Sequence, residues 1–469
     1  MKSGHNIYET NAKPWPTPGG PQDGFTTREP GWLMPRTVRA EGITLYDEHG
    51  NPFIDMSSGP VASNLGHGNK RVIEAIQRQV ARLPFVSVRQ TRTDENIALA
   101  DRLAEMAGEG FERAYFCSGG SEANETAMKF ARQLAFANGE RDRTVIFSLR
   151  PSYHGGTISA IALSGDDVPA EIFKDMTTIS EKLPAPLTYR VPEGLTIESF
   201  EDSIADEFEA RIAKIGAKKV LAIFFEPVGG VASGANVLST RFLKRIRKTC
   251  DTHGILMVFD EVMSGAGRTG KFLTSLYHPG AKPDIVVLAK GIGSGYVPLG
   301  IMLAPARLVD DLSGKTGYNY GHTSNANPLA MAAGLAVLDE LKERKLIENA
   351  AKVGDYFKAE LWKLAKTHPV IGDVRGKGLL MAVEIVSDPI KKIPFSGEIN
   401  SPAAVRRHGL AEGLMIYARR TNAGRYGDWF MAAPPLITTK PDIDDIVARL
   451  DKTLKAFANE AVKAGAKVA

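Results

Sequence analysis

A lysine stands at the end of a short apolar segment in the middle of the chain. The run Asp284–Lys290 is apolar between its charged ends, and Gly291–Gly295 follows with three glycines. An unbroken apolar run that ends at glycines predicts a strand buried on both faces, as in a parallel sheet. Open α/β sheets bind ligands at the carboxyl ends of their strands, where partial desolvation would lower the pKa of Lys290 and make its amine a nucleophile. The alternative is a lysine whose side chain extends from the strand end into solvent.

Two carboxylates end other predicted strands. Asp260 follows the apolar run Ile255–Phe259, and Glu226 follows Val220–Phe225. A carboxylate at the end of a buried strand is costly unless a cation meets it, and a protonated pyridine nitrogen is such a cation. A metal ligand or a helix cap is the alternative reading of Asp260.

A glycine-rich turn joins a strand predicted at Ala114–Cys117 to a helix predicted at Glu122–Ala137. Gly119 and Gly120 let a ligand approach the backbone, and Ser121 would cap the helix and offer a hydroxyl. The start of the helix would add unpaired N–H groups, so these features favour phosphate binding. An ordinary capped turn has the same pattern.

An aromatic residue and a histidine follow the strand predicted at Thr144–Phe147. Tyr153 offers a flat apolar face on which an aromatic ring could stack. His154 could act as a base. Taken alone, each of the two is more often a packed loop residue.

Together these features fit one small molecule, pyridoxal 5′-phosphate. Its aldehyde needs an amine, its ring nitrogen an acid partner, its ring face a wall and its phosphate a helix start. Asp260 and Lys290 are 30 residues apart, which leaves room for one helical crossover between adjacent parallel strands.

The elements that would position these residues alternate along residues 95–340. Short apolar strands and amphipathic helices follow one another there, which predicts an α/β fold with a mostly parallel sheet covered by helices on both faces. Long helices at Ile347–Thr367 and Asp442–Ala464, with a hairpin over 37–56, predict a smaller α+β unit made from both chain ends. We therefore predict three segments: an N-terminal arm and part of the small domain at 1–70, a large domain at 71–345, and the rest of the small domain at 346–469.

Composition narrows the class of protein. Hydrophobic residues make up 43% and charged residues 24% of 469, as in an ordinary soluble protein. The net charge of +4 is spread along the chain, so nucleic acid is not expected as a partner. Two cysteines exclude a disulfide framework and a cysteine metal cluster. The polar segment Met1–Pro30 lacks the apolar core of a signal peptide, and no apolar stretch reaches the length of a membrane span. We expect a cytoplasmic protein without metal, whose irregular arm Met1–Pro30 lies on a partner subunit.

The chain resembles the class III aminotransferases, which belong to the fold-type I pyridoxal-phosphate enzymes. The likeness covers nearly the whole chain, and its motifs are specific when they occur together in this order. The matching segments are Leu65–His67, Tyr115–Glu125, Ser152–Gly155, Phe225–Val228, Asp260–Val262, Gly265–Gly270, Ala289–Gly291, Gly321–Thr323 and Ala433–Leu436.

The resemblance implies a role for each cofactor residue. Lys290 would form a Schiff base with pyridoxal phosphate and shuttle the substrate proton, and Asp260 would pair with the ring nitrogen. Tyr153 and Val262 would press on opposite faces of the ring, beside His154.

The resemblance also implies a site shared between two subunits. Gly119, Gly120 and Ser121 would hold the phosphate, together with Thr323 of the partner subunit. Glu226 would lie on the substrate side. The protein would then be a homodimer, with further pairing into tetramers left open.

The sequence specifies the substrate pocket less closely than it specifies the cofactor site. Many relatives carry glutamine where Met263 stands here. Arg89 could bind a substrate carboxylate with two hydrogen bonds, or it could be an ordinary solvated arginine. The ω-amine branch of the family uses a mobile arginine shortly before the Ala-Pro-Pro motif, and the nearby candidates are Arg419, Arg420 and Arg425. Arg420 and Arg425 are our predictions, with Arg89.

The function implied is a two-stage transfer of an amino group from an amine or ω-amino acid to a 2-oxo acid, pyruvate or 2-oxoglutarate. A decarboxylase, racemase or aminomutase would use the same cofactor residues, because any carbanion chemistry needs them. A protein that has lost the cofactor and acts only by binding is the third alternative.

Overall fold

The computed structural model describes residues 35–177 and 180–468, so the arm predicted at Met1–Pro30 lies outside the described residues. Strands and helices alternate over most of this length. The strands are β1 Thr37–Glu41, β2 Thr44–Asp47, β3 Pro52–Asp55, β4 Arg113–Cys117, β5 Val145–Arg150, β6 Glu181–Pro184, β7 Val220–Phe225, β8 Leu256–Asp260, β9 Ile285–Leu288, β10 Gly300–Ala304, β11 Ile371–Lys377, β12 Leu380–Ile385, β13 Leu414–Met415, β14 Tyr417–Thr421 and β15 Gly427–Ala432. The helices are α1 Ser58–Val61, α2 Lys70–Arg82, α3 Asp94–Ala107, α4 Gly120–Ala137, α5 Ile158–Leu163, α6 Asp167–Ile172, α7 Ile197–Ile215, α8 Thr240–His253, α9 Ala306–Lys315, α10 Pro328–Glu343, α11 Leu346–Ala365, α12 Ser401–Ala411 and α13 Lys440–Lys463.

The central sheet has seven strands in the order β4-β10-β9-β8-β7-β5-β6. Strands β5 to β9 pair in parallel, whereas β10 runs antiparallel to both β4 and β9. The predicted mostly parallel α/β sheet is therefore confirmed. Because the carboxyl ends of parallel strands meet at one edge, Asp260 and the residues that follow β7 and β9 come together there.

Apolar sequence on both faces of the middle strands explains their position. Every residue of β7 and of β9 is buried. Helix α4 covers one face with a stripe of small and aromatic side chains that includes Ala123, Ala127 and Phe130. Each fully buried large apolar side chain stabilises the fold by about 1.5–3 kcal/mol. The residues at the strand ends are therefore held in place by a well-packed core.

Two four-stranded sheets lie outside the central one. The first has the order β1-β2-β3-β13, and Ile54 of β3 pairs in parallel with Leu414 of β13. The second is antiparallel, in the order β11-β12-β15-β14. Residues from both ends of the described chain thus share one sheet.

Within the described ranges, no helix is long and apolar enough to cross a bilayer. Among the same residues, no group of three or more His, Cys, Asp or Glu side chains is arranged to hold a metal ion.

Candidate active site

A cavity of about 400 Å³ opens at the carboxyl ends of the parallel strands. This volume lies in the range of small-molecule sites. Most of the predicted cofactor residues contribute to its wall: Gly119, Gly120, Ser121, Tyr153, His154, Glu226, Asp260, Val262 and Lys290.

Lys290 follows β9 after one residue and begins a short 3-10 turn, Lys290–Ile292. Its backbone has φ of 49°, a left-handed conformation that costs a non-glycine residue about 1–2 kcal/mol. Desolvation lowers the pKa of the half-buried amine to about 8, although Asp260 and Glu226 act in the opposite direction. A substantial fraction of Lys290 is therefore an unprotonated nucleophile near pH 8.

Asp260 is held by three hydrogen bonds at the end of β8, with 4% of its surface exposed. Its Oδ2 accepts from Asn124 Nδ2 at 2.8 Å and lies 2.8 Å from His154 Nδ1, while Oδ1 accepts from the Val262 N–H at 3.0 Å. These contacts fix the carboxylate within the cavity wall.

Asn124 is a site residue that our sequence reasoning did not single out. It stands on the buried face of α4 and also donates to the carbonyl of His154 at 2.8 Å. The signal that could have found it is a polar residue within an otherwise largely apolar helix face. Its Oδ1 and the Nε2 of His154 are buried without a hydrogen-bond partner among the described residues.

The first turn of α4 provides space for an anion. Gly119 is the N-cap residue of α4 and, lacking a side chain, leaves the backbone N–H groups of the first turn without a side-chain acceptor. A Cβ on Gly120 would lie 2.9 Å from Val262 Cγ1, and one on Gly155, whose φ is 136°, would lie 2.5 Å from Ser121 Oγ. The hydroxyl of Ser121 accepts from the Gly156 N–H at 3.0 Å. Glycine is therefore required where the two loops meet at the helix start, where the dipole favours a phosphate.

Glu226 and Tyr153 line the cavity together and are joined by a hydrogen bond. Glu226 accepts from the Tyr153 N–H at 2.9 Å through Oε2 and from the Gly230 N–H at 2.8 Å through Oε1. Burial raises the pKa of the Glu226 carboxyl. The Tyr153 side chain lies at the mouth of the cavity and is 42% exposed.

Four predicted residues do not line this cavity. Thr323 is exposed, and the exposed Arg89 lies against Gly321 in the same region. Arg420 points away from the cavity and binds the buried Asp428 at 2.7 Å. Arg425 is largely exposed and lies 3.7 Å from Asp167.

Arg419 is the arginine that the structure brings into the cavity wall, next to Tyr417. Its guanidinium forms an ion pair with the buried Asp166. The side chains of residues 417 and 419 share one face of β14, and residue 420 lies on the other because a strand alternates its faces. This alternation is the physical reason why Arg420 is separated from the site.

The described residues fit pyridoxal phosphate. A half-buried amine with a lowered pKa, a fixed carboxylate, an exposed aromatic ring and an open helix start line a single cavity of suitable volume. These are the four partners that the aldehyde, ring nitrogen, ring face and phosphate of this cofactor require.

Comparison with known proteins agrees with this geometry. The family model "Aminotransferase class-III" matches residues 28–454. An uncharacterized aminotransferase of Schizosaccharomyces pombe is 34% identical, with 91% of this chain and 93% of the relative covered. A leucine/methionine racemase of Thermococcus litoralis is 32% identical, with 89% and 90% covered.

Solved structures show the same fold. An amine transaminase from an uncultivated Pseudomonas species, solved in its pyridoxal-phosphate-bound form, has a TM-score of 0.85 and 33% identity, with 93% of this chain and 97% of that chain covered. From the family match, the extent of these similarities and the arrangement of the cavity, we conclude that the chain belongs to the class III aminotransferases and is a pyridoxal-phosphate-dependent enzyme.

Proposed function

We propose that this enzyme moves an amino group from an amine or ω-amino acid to a 2-oxo acid, with Lys290 and Asp260 as its catalytic residues. The observation that carries the proposal is that the Lys290 amine and the Asp260 carboxylate line the same cavity. They stand at the ends of β9 and β8, which are adjacent strands of the sheet. When bound, pyridoxal phosphate supplies an electron sink for the charge left on the substrate carbon.

Lys290 has the properties of the amine that carries the cofactor and of the base that moves the proton. Its desolvated position lowers its pKa to about 8, close to the pH at which a general base works best. Asp260 and Glu226 oppose that shift, so the protonated form also remains accessible. The Nζ atom can therefore accept the proton from the substrate Cα and release it again within each half-reaction.

Asp260 would keep a proton on the ring nitrogen of the cofactor. His154 and Asn124 support this role because they hold the carboxylate at 2.8 Å on the side away from bulk water. A fixed carboxylate needs no reorganisation when charge develops in the cofactor ring, which is the source of electrostatic catalysis.

Binding of the cofactor phosphate is assigned to Gly119, Gly120 and Ser121 at the start of α4. We assign the two ring faces to Tyr153 and Val262. We further propose that Thr323 of the partner subunit completes the phosphate site in a homodimer. The exposed position of Thr323, outside the cavity of its own chain, supports this arrangement.

For the substrate carboxylate, we propose Arg419 in place of Arg420 and Arg425. Arg419 is the member of the three that lines the cavity, and its pairing with Asp166 keeps it compensated when no carboxylate is bound. A bidentate bond from arginine to a carboxylate would favour 2-oxo acids as acceptors. We also propose that Arg89, beside Gly321, serves the site across a subunit interface.

The half-reactions test this proposal. The cofactor-loaded enzyme is mixed with one amine or ω-amino acid at a time, and the visible absorption of the bound cofactor is followed. We expect the absorption to fall with an amine donor, to return with pyruvate or 2-oxoglutarate, and to yield one new amino acid for each oxo acid consumed. If no donor in a broad screen lowers the absorption, while a single amino acid is racemised without any oxo acid, the proposal is wrong and the racemase alternative is correct.

We also propose a division into domains and a cellular location. Segments 1–70 and 346–469 form one small domain around 71–345, which the pairing of β3 with β13 supports. The enzyme works in the reducing cytoplasm, in agreement with Cys117 and Cys250, which are buried and unpaired.

A further inference from the structure

A second cavity, of about 410 Å³, lies apart from the first, between the edge of the central sheet and the turn before β15. Strand β6, helix α7 and the residues Arg425 and Tyr426 form its walls. The two cavities share no lining residue among those described. Pyridoxal phosphate therefore does not account for the second one.

The lining of this cavity is strongly cationic. It holds one carboxylate, Glu207, and five basic side chains: Arg150, Lys182, Arg190, Arg211 and Arg425. The other carboxylates that pair with these arginines stand outside the lining. Walls of one charge sign focus the electric field into the cavity and attract an ion of the opposite sign.

Two of the arginines have unused capacity to donate. Arg150 reaches Asp167 at 3.1 Å through Nη1, while its Nε is buried without a partner among the described residues. The guanidinium of Arg425 comes no closer than 3.7 Å to Asp167, which it shares with Arg150. Arginine forks match the oxygens of a phosphate, so an anion placed between them could accept from the unpaired Nε–H of Arg150 and from the exposed guanidinium of Arg425.

Lys182 is a basic group in the wall whose hydrogen-bonding capacity is already taken up by neutral partners. Its Nζ makes four contacts of 2.6–2.8 Å with the hydroxyls of Ser148 and Ser180 and the carbonyls of Ala162 and Leu163, and none of these partners is a carboxylate. Burial, followed by repulsion from Arg150, lowers the pKa of this amine to about 7. A bound anion would relieve that repulsion.

The remainder of the lining is apolar and partly aromatic. It comprises Leu183, Pro184, Ala185, Leu187, Phe200 and Tyr426. A bare phosphate ion would leave this part of the cavity unused. A ligand that combined a dianionic head with an apolar or planar body would contact both halves.

We propose that this cavity binds a small organic phosphate monoester, whose phosphate lies between Arg150 and Arg425 and whose body lies against Phe200 and Tyr426. The site also adjoins the active site through two neighbouring residues. Asp167 pairs with Arg150 and Arg425, and Asp166 pairs with Arg419 in the first cavity. We expect occupancy to draw both arginines from Asp167 and so to change how Arg419 is held, a consequence that rests on the role proposed for Arg419.

Isothermal titration calorimetry of the cofactor-loaded enzyme tests the site directly, with phenyl phosphate and inorganic phosphate as probes at constant ionic strength. We expect phenyl phosphate to saturate one site per subunit and to bind several-fold more tightly than inorganic phosphate. Arg425→Gln and Arg150→Gln should each weaken binding about tenfold or more, because each removes a charged donor. Both cations are partly exposed, so both variants are expected to fold.

Two control variants separate this site from other cations. Arg78→Gln removes an arginine matched to Arg425, since both side chains are 70% exposed and the nearest carboxylate lies 3.6 Å from Arg78 and 3.7 Å from Arg425. Arg419→Gln removes the cation of the active site. Arg78→Gln should not change phenyl phosphate binding, and Arg419→Gln should change it by no more than about the twofold of the proposed coupling, because it removes no donor from this cavity. Absence of saturable binding would overturn the proposal, and so would binding that is unchanged in Arg425→Gln and Arg150→Gln. Equal affinity for phenyl phosphate and inorganic phosphate would show that the apolar side chains of the cavity do not bind the body of the ligand.

The coupling between the second cavity and Arg419 is tested by measuring the KM for pyruvate with and without phenyl phosphate. We expect a change of at least twofold in the wild-type enzyme and none in Arg425→Gln. An unchanged KM together with intact calorimetric binding would reject the coupling and the proposed role of Arg419 in it, and would leave the binding site standing.

Discussion

The Nδ1 atom of His154 lies 2.8 Å from the Oδ2 atom of Asp260, and both side chains are buried. Asn124 donates to the same oxygen at 2.8 Å. Because two partners hold this single oxygen, the direction of the carboxylate depends on residues from α4 and from the loop after β5. His154 is therefore expected to act through Asp260, as a positioning residue.

Substitutions at His154 test this relationship. The variant His154→Leu removes the ring donor, and we expect kcat to fall about tenfold with little change in KM, because a charge-assisted hydrogen bond contributes about 1.5–3 kcal/mol. The variant His154→Asn keeps an N–H at the position of Nδ1 and should recover most of the activity. Steady-state kinetics and the visible spectrum of the bound cofactor check both variants. Equal loss in the leucine and asparagine variants would contradict the positioning role.

Arg419 should determine the affinity for carboxylate substrates. In Arg419→Gln, we expect the KM for pyruvate to rise about tenfold or more, since a bidentate charged contact is lost. The KM for an amine donor without a carboxylate should stay within about twofold of the wild-type value.

Arg425→Gln, assayed in phosphate-free buffer, is the control for this experiment because Arg425 lies close in sequence and outside the cavity. The assignment fails if the two variants change the KM for pyruvate equally, or if Arg419→Gln changes neither KM.

Sequence patterns singled out Asp260 and Lys290 as proposed cofactor residues because each stands at the end of an apolar strand. Asp260 is the last residue of β8, and Lys290 follows β9 after one residue. Strand β7 has the predicted bounds Val220–Phe225. Continuous hydrophobicity and glycine boundaries are local signals, so they can be recognised in the sequence without knowledge of the rest of the fold.

Other features depend on distant parts of the chain, and sequence patterns could not predict them. The antiparallel direction of β10 depends on its neighbours β4 and β9, and its residues are as apolar as those of a parallel strand. The choice among three arginines depended on which face of β14 meets the cavity, and a short strand does not carry that information. Asn124 was missed for the same reason, since its partner Asp260 stands 136 residues away.

The pKa of Lys290 makes a prediction about the stability of the cofactor-free protein. The folded state lowers this pKa from 10.5 to about 8, so below pH 8 folding must accommodate a charge that the unfolded chain carries freely. Between about pH 8 and 10.5 the unfolded state binds more protons at this residue, and the free energy of unfolding rises with pH. Above 10.5 both states are neutral and the penalty is absent.

The variant Lys290→Met should therefore be more stable than the cofactor-free wild type at pH 7, by at most about 3 kcal/mol and by less if solvent screens the half-buried amine. The difference should shrink towards pH 10. Thermal unfolding of both proteins at the two pH values measures it, and the paired comparison cancels the titration of all other lysines and tyrosines. A difference that is the same at both pH values would show that Lys290 is not desolvated.

The central claim is that the Lys290 amine carries the cofactor. Reducing the pyridoxal-phosphate-loaded enzyme with borohydride, digesting it and mapping the labelled peptide by mass spectrometry tests this claim most directly. We predict one pyridoxyl label per chain, on Lys290, and no label in Lys290→Ala although the variant still binds the cofactor. A label on another lysine of the wild-type chain, or an unlabelled chain that contains bound cofactor, would contradict the account.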